Sequence, residues 1–217
     1  MFILEKDSRS IAAESYRTVR TNIQYSSIDK EYKIIMVTSS EPKEGKSSVA
    51  GNLALSFAQD DNRVLLIDCD LRKPSLHKKF RISNVIGLTD VLIGKGDLIS
   101  SIKKYNDKLF ILTSGNKSPN PAEMLSSKVM SKLLEELREK FDYIILDTPP
   151  VQAVADSQII STKSDGVILV IRAEETKRDS TKSAVSLLRK VNANIIGAVF
   201  NGVDSSRNKY YYYYGEK

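Results

Sequence analysis

Six short apolar runs recur along the chain, and they limit its fold more than any other feature. They are Lys33–Thr38, Arg63–Ile67, Lys108–Thr113, Tyr143–Leu146, Gly166–Ile171 and Ile195–Phe200, all rich in Ile, Val and Leu with little polar alternation. Runs of that length and texture read as strands buried on both faces. Segments of helical period lie between them. Ser47–Gln59 aligns Val49, Leu53 and Phe57 beside Ala50, Ala54 and Ala58 as one stripe, and Ser126–Lys140 and Ser180–Val191 are similar. Ser10–Tyr25 reads as a leading helix, and Arg72–Lys108 as loops around a short helix near Leu88–Ile93. Strands alternating with helices predict an α/β fold whose mostly parallel sheet is covered on both faces. The expected organisation is one domain over residues 1–203, followed by a flexible tail over 204–217 that has no apolar periodicity.

Composition removes several alternatives. With 217 residues, 41% hydrophobic and 28% charged, the chain has ordinary globular usage and can bury one sizeable core. No apolar run approaches the ~18 residues of a membrane span, and the stretch at Met1–Leu4 is too short for a secretory signal. The single cysteine, Cys69, cannot form an internal disulfide, which fits a reducing cytoplasm. One cysteine and one histidine, His77, cannot make a Cys/His zinc site. The net charge of +6 suits an anionic partner but does not choose between nucleotide, nucleic acid and membrane.

Three motifs sit at strand ends. After the first run comes Ser40-Glu41-Pro42-Lys43-Glu44-Gly45-Lys46-Ser47, which meets G-x-x-x-x-G-K-[ST] except that Ser40 replaces the first Gly. A loop between strand and helix can wrap a phosphate with backbone N–H groups at the positive end of that helix. Lys46 then reaches the β- and γ-phosphates and the Ser47 hydroxyl can ligate Mg²⁺. The second run ends in Asp68-Cys69-Asp70-Leu71-Arg72 and the fourth in Asp147-Thr148-Pro149-Pro150. Ligands of parallel sheets bind beyond the carboxyl ends of the strands, so the loop, Asp68, Asp70 and Asp147 are expected on one edge. Each aspartate alone could merely cap a turn; together with the loop they form the carboxylate set of a Mg·ATP site.

Taken together these residues resemble the bacterial tyrosine kinases (BY-kinases) of capsule and exopolysaccharide synthesis, in their soluble Gram-positive form. The resemblance rests on the modified phosphate loop, the D-x-D-x-R and D-x-P-P motifs, Glu14-x-x-Arg17-x-x-Arg20 near the start, and the consecutive tyrosines Tyr210, Tyr211, Tyr212, Tyr213 and Tyr214 near the end. One departure is Lys43, where the family often has Gly. The resemblance implies a three-layer α/β/α P-loop nucleotide-hydrolase fold and an ATP- and Mg²⁺-dependent protein-tyrosine kinase. It implies that Lys43, Glu44, Gly45, Lys46, Ser47 and Ser48 cradle the nucleotide. Ser47, Asp70 and Asp147 hold the metal, so that three aspartates surround one cation. Asp68 accepts the proton of the tyrosine hydroxyl, with Lys46 and Asp70 beside it. Asn201 and Arg172, at the ends of the last two runs, are candidates to line the nucleotide edge or are plain turn residues. Arg72 has two candidate partners, a phosphate or Asp70.

Glu14, Arg17 and Arg20 span about 120° of one helix side. By charge physics alone they form a solvated face; by resemblance they mediate assembly of a homo-oligomeric ring. Tyr210, Tyr211, Tyr212, Tyr213 and Tyr214 are then an autophosphorylation cluster filled by neighbouring copies. Fully phosphorylated, they would add roughly −8 to −10 charges, enough to reverse the chain's +6 and loosen the ring. Further implied partners are a transmembrane activator that recruits the chain to the inner membrane face through its cytoplasmic tail, protein-tyrosine substrates and a cognate phosphatase; nucleic acid is not expected. The competing reading is a ParA/MinD-like nucleotide-driven ATPase switch. Such switches usually carry a lysine where this chain has Glu41.

Overall fold

A computed structural model describes residues 2–26 and 31–203. The expected tail, 204–217, lies outside the described residues, and with it the five expected phosphorylation sites, Tyr210, Tyr211, Tyr212, Tyr213 and Tyr214. In chain order the elements are α1 Ile3–Lys6, α2 Ile11–Tyr25, β1 Ile34–Ser39, α3 Lys46–Gln59, β2 Val64–Asp68, α4 Leu76–Phe80, α5 Leu88–Leu92 and α6 Leu98–Ser101. There follow β3 Lys103–Lys104, β4 Leu109–Leu112, α7 Pro121–Ser126, α8 Lys128–Lys140, β5 Tyr143–Asp147, α9 Asp156–Ser161, β6 Gly166–Arg172, α10 Arg178–Lys190 and β7 Ile195–Asn201. All six expected strands form. The addition is β3, two residues paired antiparallel to β4 at the sheet edge and too short to leave a periodic signal.

The strands build one sheet in the order β3-β4-β2-β5-β1-β6-β7, parallel except for β3. Successive residues of a strand point to opposite faces, and here both faces are apolar. Ile34 and Met36 of β1 face a core with Leu125, Leu134, Leu137 and Leu188. Ile35 and Val37 face a second core with Val49, Leu53, Phe57 and Phe80. Helices α5 and α7–α10 cover one face and α1–α4 the other, giving the three layers.

Helix ends follow local chemistry. The Ser10 hydroxyl accepts from Ala13 N at the start of α2. The expected helix Ser126–Lys140 forms as α8, starting two residues later, because the Ser127 hydroxyl caps it by accepting from Met130 N. Proline at the first position of α7 begins the preceding turn.

Helix α2 lies along α3, and the charged stripe separates into two functions. Arg17 pairs with Glu14 at 2.8 Å and donates to Ser8 O at 2.8 Å, on the outer face. Arg20 instead turns inward. It donates to Ser56 O at 2.9 Å and meets Asp60 at 3.3 Å, with its side chain 15% exposed. The third position of the expected assembly stripe is therefore an internal strut that caps the carboxyl end of α3. Arg20→Met should lower stability by about 1–2 kcal/mol in urea unfolding, while Arg17→Met should stay within about 0.5 kcal/mol. Equal losses would remove the distinction.

Candidate active site

Register brings the acidic strand ends together. Asp68 of β2 is paired with Asp147 of β5, and β5 in turn pairs with β1, whose next residues open the phosphate loop. On the far side Arg172 of β6 lies opposite Asn201 of β7. A cleft of about 640 Å³ opens at this carboxyl edge; Arg172 and Asn201 border it, while Asp68 and Asp147 lie wholly buried beneath it. Its walls include Lys43, Gly45, Lys46, Ser47, Ser48 and Asp70. Arg72, Lys73, Lys79, Pro149, Pro150, Arg172 and Asn201 complete the cleft's rim.

The loop is held by a buried carboxylate. Glu44 accepts from Glu41 N at 3.0 Å and from the Thr176 hydroxyl, while Asn201 Nδ2 donates to Glu44 O at 2.9 Å. Glu44 thus serves the loop's shape with its side chain and does not face the cleft. Gly45 sits at φ 93° with Asn201 against it; a Cβ there would lie 2.0 Å from Asn201 Nδ2. Asn201 borders the cleft as expected, and its amide is a strap on the loop. Lys43 adopts φ 71°, the left-handed region. The path that glycine would follow without cost is kept with a lysine in its place, at about 1 kcal/mol. Lys43→Gly should therefore raise the melting temperature, and Lys43→Ala should not; thermal melts of both variants decide it.

Lys46 is the hub. Its Nζ lies 3.0 Å from Asp70 Oδ2, 3.6 Å from Asp147 Oδ1 and 3.4 Å from the Ser47 hydroxyl. Burial pulls the ammonium pKa down, but the charges of Asp147 and Asp70 outweigh it and the net direction is up. Asp147 is wholly buried, and neither oxygen has a hydrogen-bond partner among the described residues. Burial raises its pKa against the pull of Lys46. A buried carboxylate whose neighbours are one ammonium at 3.6 Å, a serine hydroxyl and a second carboxylate suits a divalent cation carried in with a nucleotide.

Asp68 differs from the expectation of three carboxylates around one cation. Its Oδ2 accepts from Ser75 N at 3.1 Å and Leu76 N at 3.0 Å, and its Oδ1 from Asp70 N at 3.2 Å. Those bonds hold it fully buried at the end of β2, and it does not line the cleft. Among the described residues no three His, Cys, Asp or Glu side chains converge as a metal-ligand set. The oxygens that remain for a metal are those of Ser47, Asp70 and Asp147.

Arg72 does not take Asp70 as its hydrogen-bonded partner. It is bound through Nε and Nη2 to Asp156, at 2.8 and 3.1 Å. Asp156 is wholly buried at the start of α9. Lys79 Nζ donates to the Ser48 hydroxyl at 2.9 Å. Asp156, Thr176 and Lys79 were not legible as site residues, since each is a lone polar residue that only the fold carries to Arg72, to Glu44 or to the cleft itself.

Burial and then the charge of Asp147 push the Asp68 carboxyl up from 3.8 to about 7. Between those values the folded, metal-free protein holds a proton that the unfolded chain has released, so stability falls as pH rises through the window. Denaturation in chelator should show less stability at pH about 7.5 than at about 5. Asp68→Asn should remove much of that slope while lowering the melting temperature at both pH values, because its amide nitrogen must face a backbone N–H donor. A wild-type profile flat across the window would refute the assignment.

Comparison with known proteins agrees with this geometry. Residues 30–209 match the ParA family model, described as NUBPL iron-transfer P-loop NTPase. The chain is 45% identical over 212 residues to the tyrosine-protein kinase YwqD of Bacillus subtilis (strain 168), a match covering 97% of this chain and 90% of that protein. Among solved structures, the kinase domain of the Escherichia coli tyrosine kinase ETK has a TM-score of 0.91 at 33% identity, over 100% of this chain and 85% of that one. The chimerical protein CapA2B2 has a TM-score of 0.88 at 33% identity, over 92% of this chain and 88% of that one.

Proposed function

Because the chain belongs to the bacterial tyrosine-protein kinases, within the ParA-type P-loop NTPases, we propose that this kinase transfers the γ-phosphoryl group of ATP to its tail tyrosines on a neighbouring copy, and then to tyrosines of other proteins. The tail acceptors are Tyr210, Tyr211, Tyr212, Tyr213 and Tyr214. The observation that carries the reading is the meeting of Lys46 with Asp70 and Asp147 in the cleft bordered by the phosphate loop.

The residues take the following roles. The N–H groups at the start of α3 and the Lys46 ammonium hold the phosphates. To reach them Lys46 would leave Asp70 and Asp147, whose oxygens, with the Ser47 hydroxyl, would hold Mg²⁺. When bound, the metal would neutralise charge on the phosphates. A tyrosine hydroxyl enters from the Asp70 side. Its oxygen forms a bond to the γ-phosphorus as the bond to the β-phosphate oxygen breaks, and ADP leaves. Asp68 is assigned the hydroxyl proton; it is fully buried here, so this role requires the segment after β2 to open as the acceptor enters. A free tyrosine has a pKa near ~10 and is protonated at neutral pH, so an acceptor held near neutrality aids the transfer. Positioning and charge stabilisation supply most of the acceleration. Asn201 and Arg172 border the side of the cleft toward β6 and β7, and we assign them to the nucleoside end.

Assembly is assigned to Glu14 and Arg17 on the outer face of α2, with Arg20 keeping that helix on α3. Among the described residues no helix is long and apolar enough to cross a membrane. We assign recruitment to the inner membrane face, and activation, to the cytoplasmic tail of a membrane-spanning partner in capsule or exopolysaccharide synthesis. The likeness to YwqD and to CapA2B2 supports that setting, and a cognate phosphatase would reset the tail. Against the switch reading stands Glu41. It occupies the position of the switches' lysine, and its carboxylate accepts from the Ser180 hydroxyl at 2.6 Å.

A mixing experiment tests transfer between copies. One chain carries Lys46→Met and keeps its tyrosines; the other keeps Lys46 and has Tyr210–Tyr214 changed to Phe. With Mg·ATP and the activator's cytoplasmic tail, phosphotyrosine should form on the Lys46→Met chain only in the mixture. Alone, that chain should lose at least about a hundredfold in rate. ATP hydrolysis with no phosphotyrosine anywhere would favour the switch.

A further inference from the structure

The pairing of Arg72 with Asp156 has no part in the roles above. Asp156 is completely buried, and both of its oxygens are spent on one guanidinium. A buried carboxylate is costly unless it is paired, so the fork fixes Arg72 in one orientation. The fork uses Nε and Nη2, which leaves the Nη1 edge for another partner. The Arg72 side chain remains 42% exposed and borders the cleft. Lys73 borders the cleft beside it. The motif arginine is therefore aimed by an element, α9, that follows the third motif.

Its place in the sheet says what it faces. The phosphate loop follows β1, and Arg172 and Asn201 stand on β6 and β7 on one side. Arg72 follows β2, on the opposite side of β5. Lys46 and the start of α3 are already assigned to the nucleotide's phosphates, and Lys79 reaches Ser48 of the same helix. Arg72 lies four residues past Asp68, at the end from which an acceptor enters. The acceptors of this chain are five tyrosines in a row. After the first transfer, a later one can have a phosphotyrosine one or two residues away, within roughly 3–7 Å along an extended strand. A guanidinium with a free edge is the group that takes a phosphate dianion.

We propose that Arg72, aimed by Asp156, is a phosphotyrosine-reading subsite at the acceptor end of the cleft. It holds a phosphate next to the tyrosine undergoing transfer, so a run of tyrosines fills faster once begun. This rests on the kinase reading and adds a preference for primed substrate. Arg72 is a specificity residue and Asp156 a positioning residue.

The test is binding, read apart from transfer. The protein is the full chain with Tyr210–Tyr214 changed to Phe, loaded with Mg·ADP. The probes are a fluorescent peptide of residues 205–217 and the same peptide phosphorylated at Tyr212. The phosphorylated peptide should bind at least about tenfold more tightly. Arg72→Gln should bring that ratio near one, and Asp156→Asn should lose most of it while Arg72 keeps its charge. If Asp156→Asn fails to fold, the exposed Arg72→Gln still decides. Equal binding of the two peptides by the parent protein would overturn the proposal, as would a ratio kept in Arg72→Gln. A loss of ADP affinity in Arg72→Gln equal to its loss of phosphopeptide affinity would also overturn it, by assigning the arginine to the nucleotide. Transfer from ATP to the unphosphorylated peptide, measured on the same parent protein, tests the kinase reading separately.

Discussion

One ammonium group holds the functional edge of this protein together. Parallel β2 and β5 end side by side in carboxylates. Lys46 is the cation that makes that burial tolerable, with Nζ at 3.0 Å from Asp70 and 3.6 Å from Asp147. The same group belongs to the loop that wraps phosphates. In the proposed reaction a nucleotide competes with the aspartates for Lys46, and a divalent cation takes the lysine's place between them. Grip on ATP and retention of the metal are then one exchange of charges.

The loop keeps its shape through neutral and charged contacts away from the phosphates. Glu44 is turned into the protein, where Thr176 and the Glu41 amide satisfy it, and Asn201 fills the space that Gly45 leaves. Lys43 accepts a left-handed backbone to preserve this path. The energy of the loop's conformation is thus supplied by β6, β7 and the segment after β6, so the nucleotide meets a shape already made.

The fold was legible because its inner strands are buried on both faces, which leaves unbroken Ile/Val/Leu runs; the edge strand β7 departs from that expectation, with no fully buried residue and Phe200 64% exposed. The strand ends carried Asp68, Asp70 and Asp147 to one edge, and the pattern around Gly45 placed Lys46 and Ser47. Where reading failed, the cause was local brevity or distant partnership. β3 and α1 are too short to show a period, and the start of α8 after Ser127 depends on one capping hydroxyl. The direction of the Glu44 side chain, the inward turn of Arg20 and the choice of Asp156 by Arg72 depend on residues 36 to 132 positions away. No spacing rule reports such pairs. They follow from which helix lies over which strand.

Arg20 gives the architecture a mechanical property. It fastens the stripe-bearing α2 to the carbonyl end of α3, and the other end of α3 is the phosphate cradle. A fourteen-residue helix is a stiff rod about 21 Å long. In the proposed ring, contact between protomers and hold on the nucleotide are applied to opposite ends of one lever. Any tightening of the cradle that follows from seating a neighbour must be matched, by linkage, by an equal tightening of the neighbour's seat when the cradle fills.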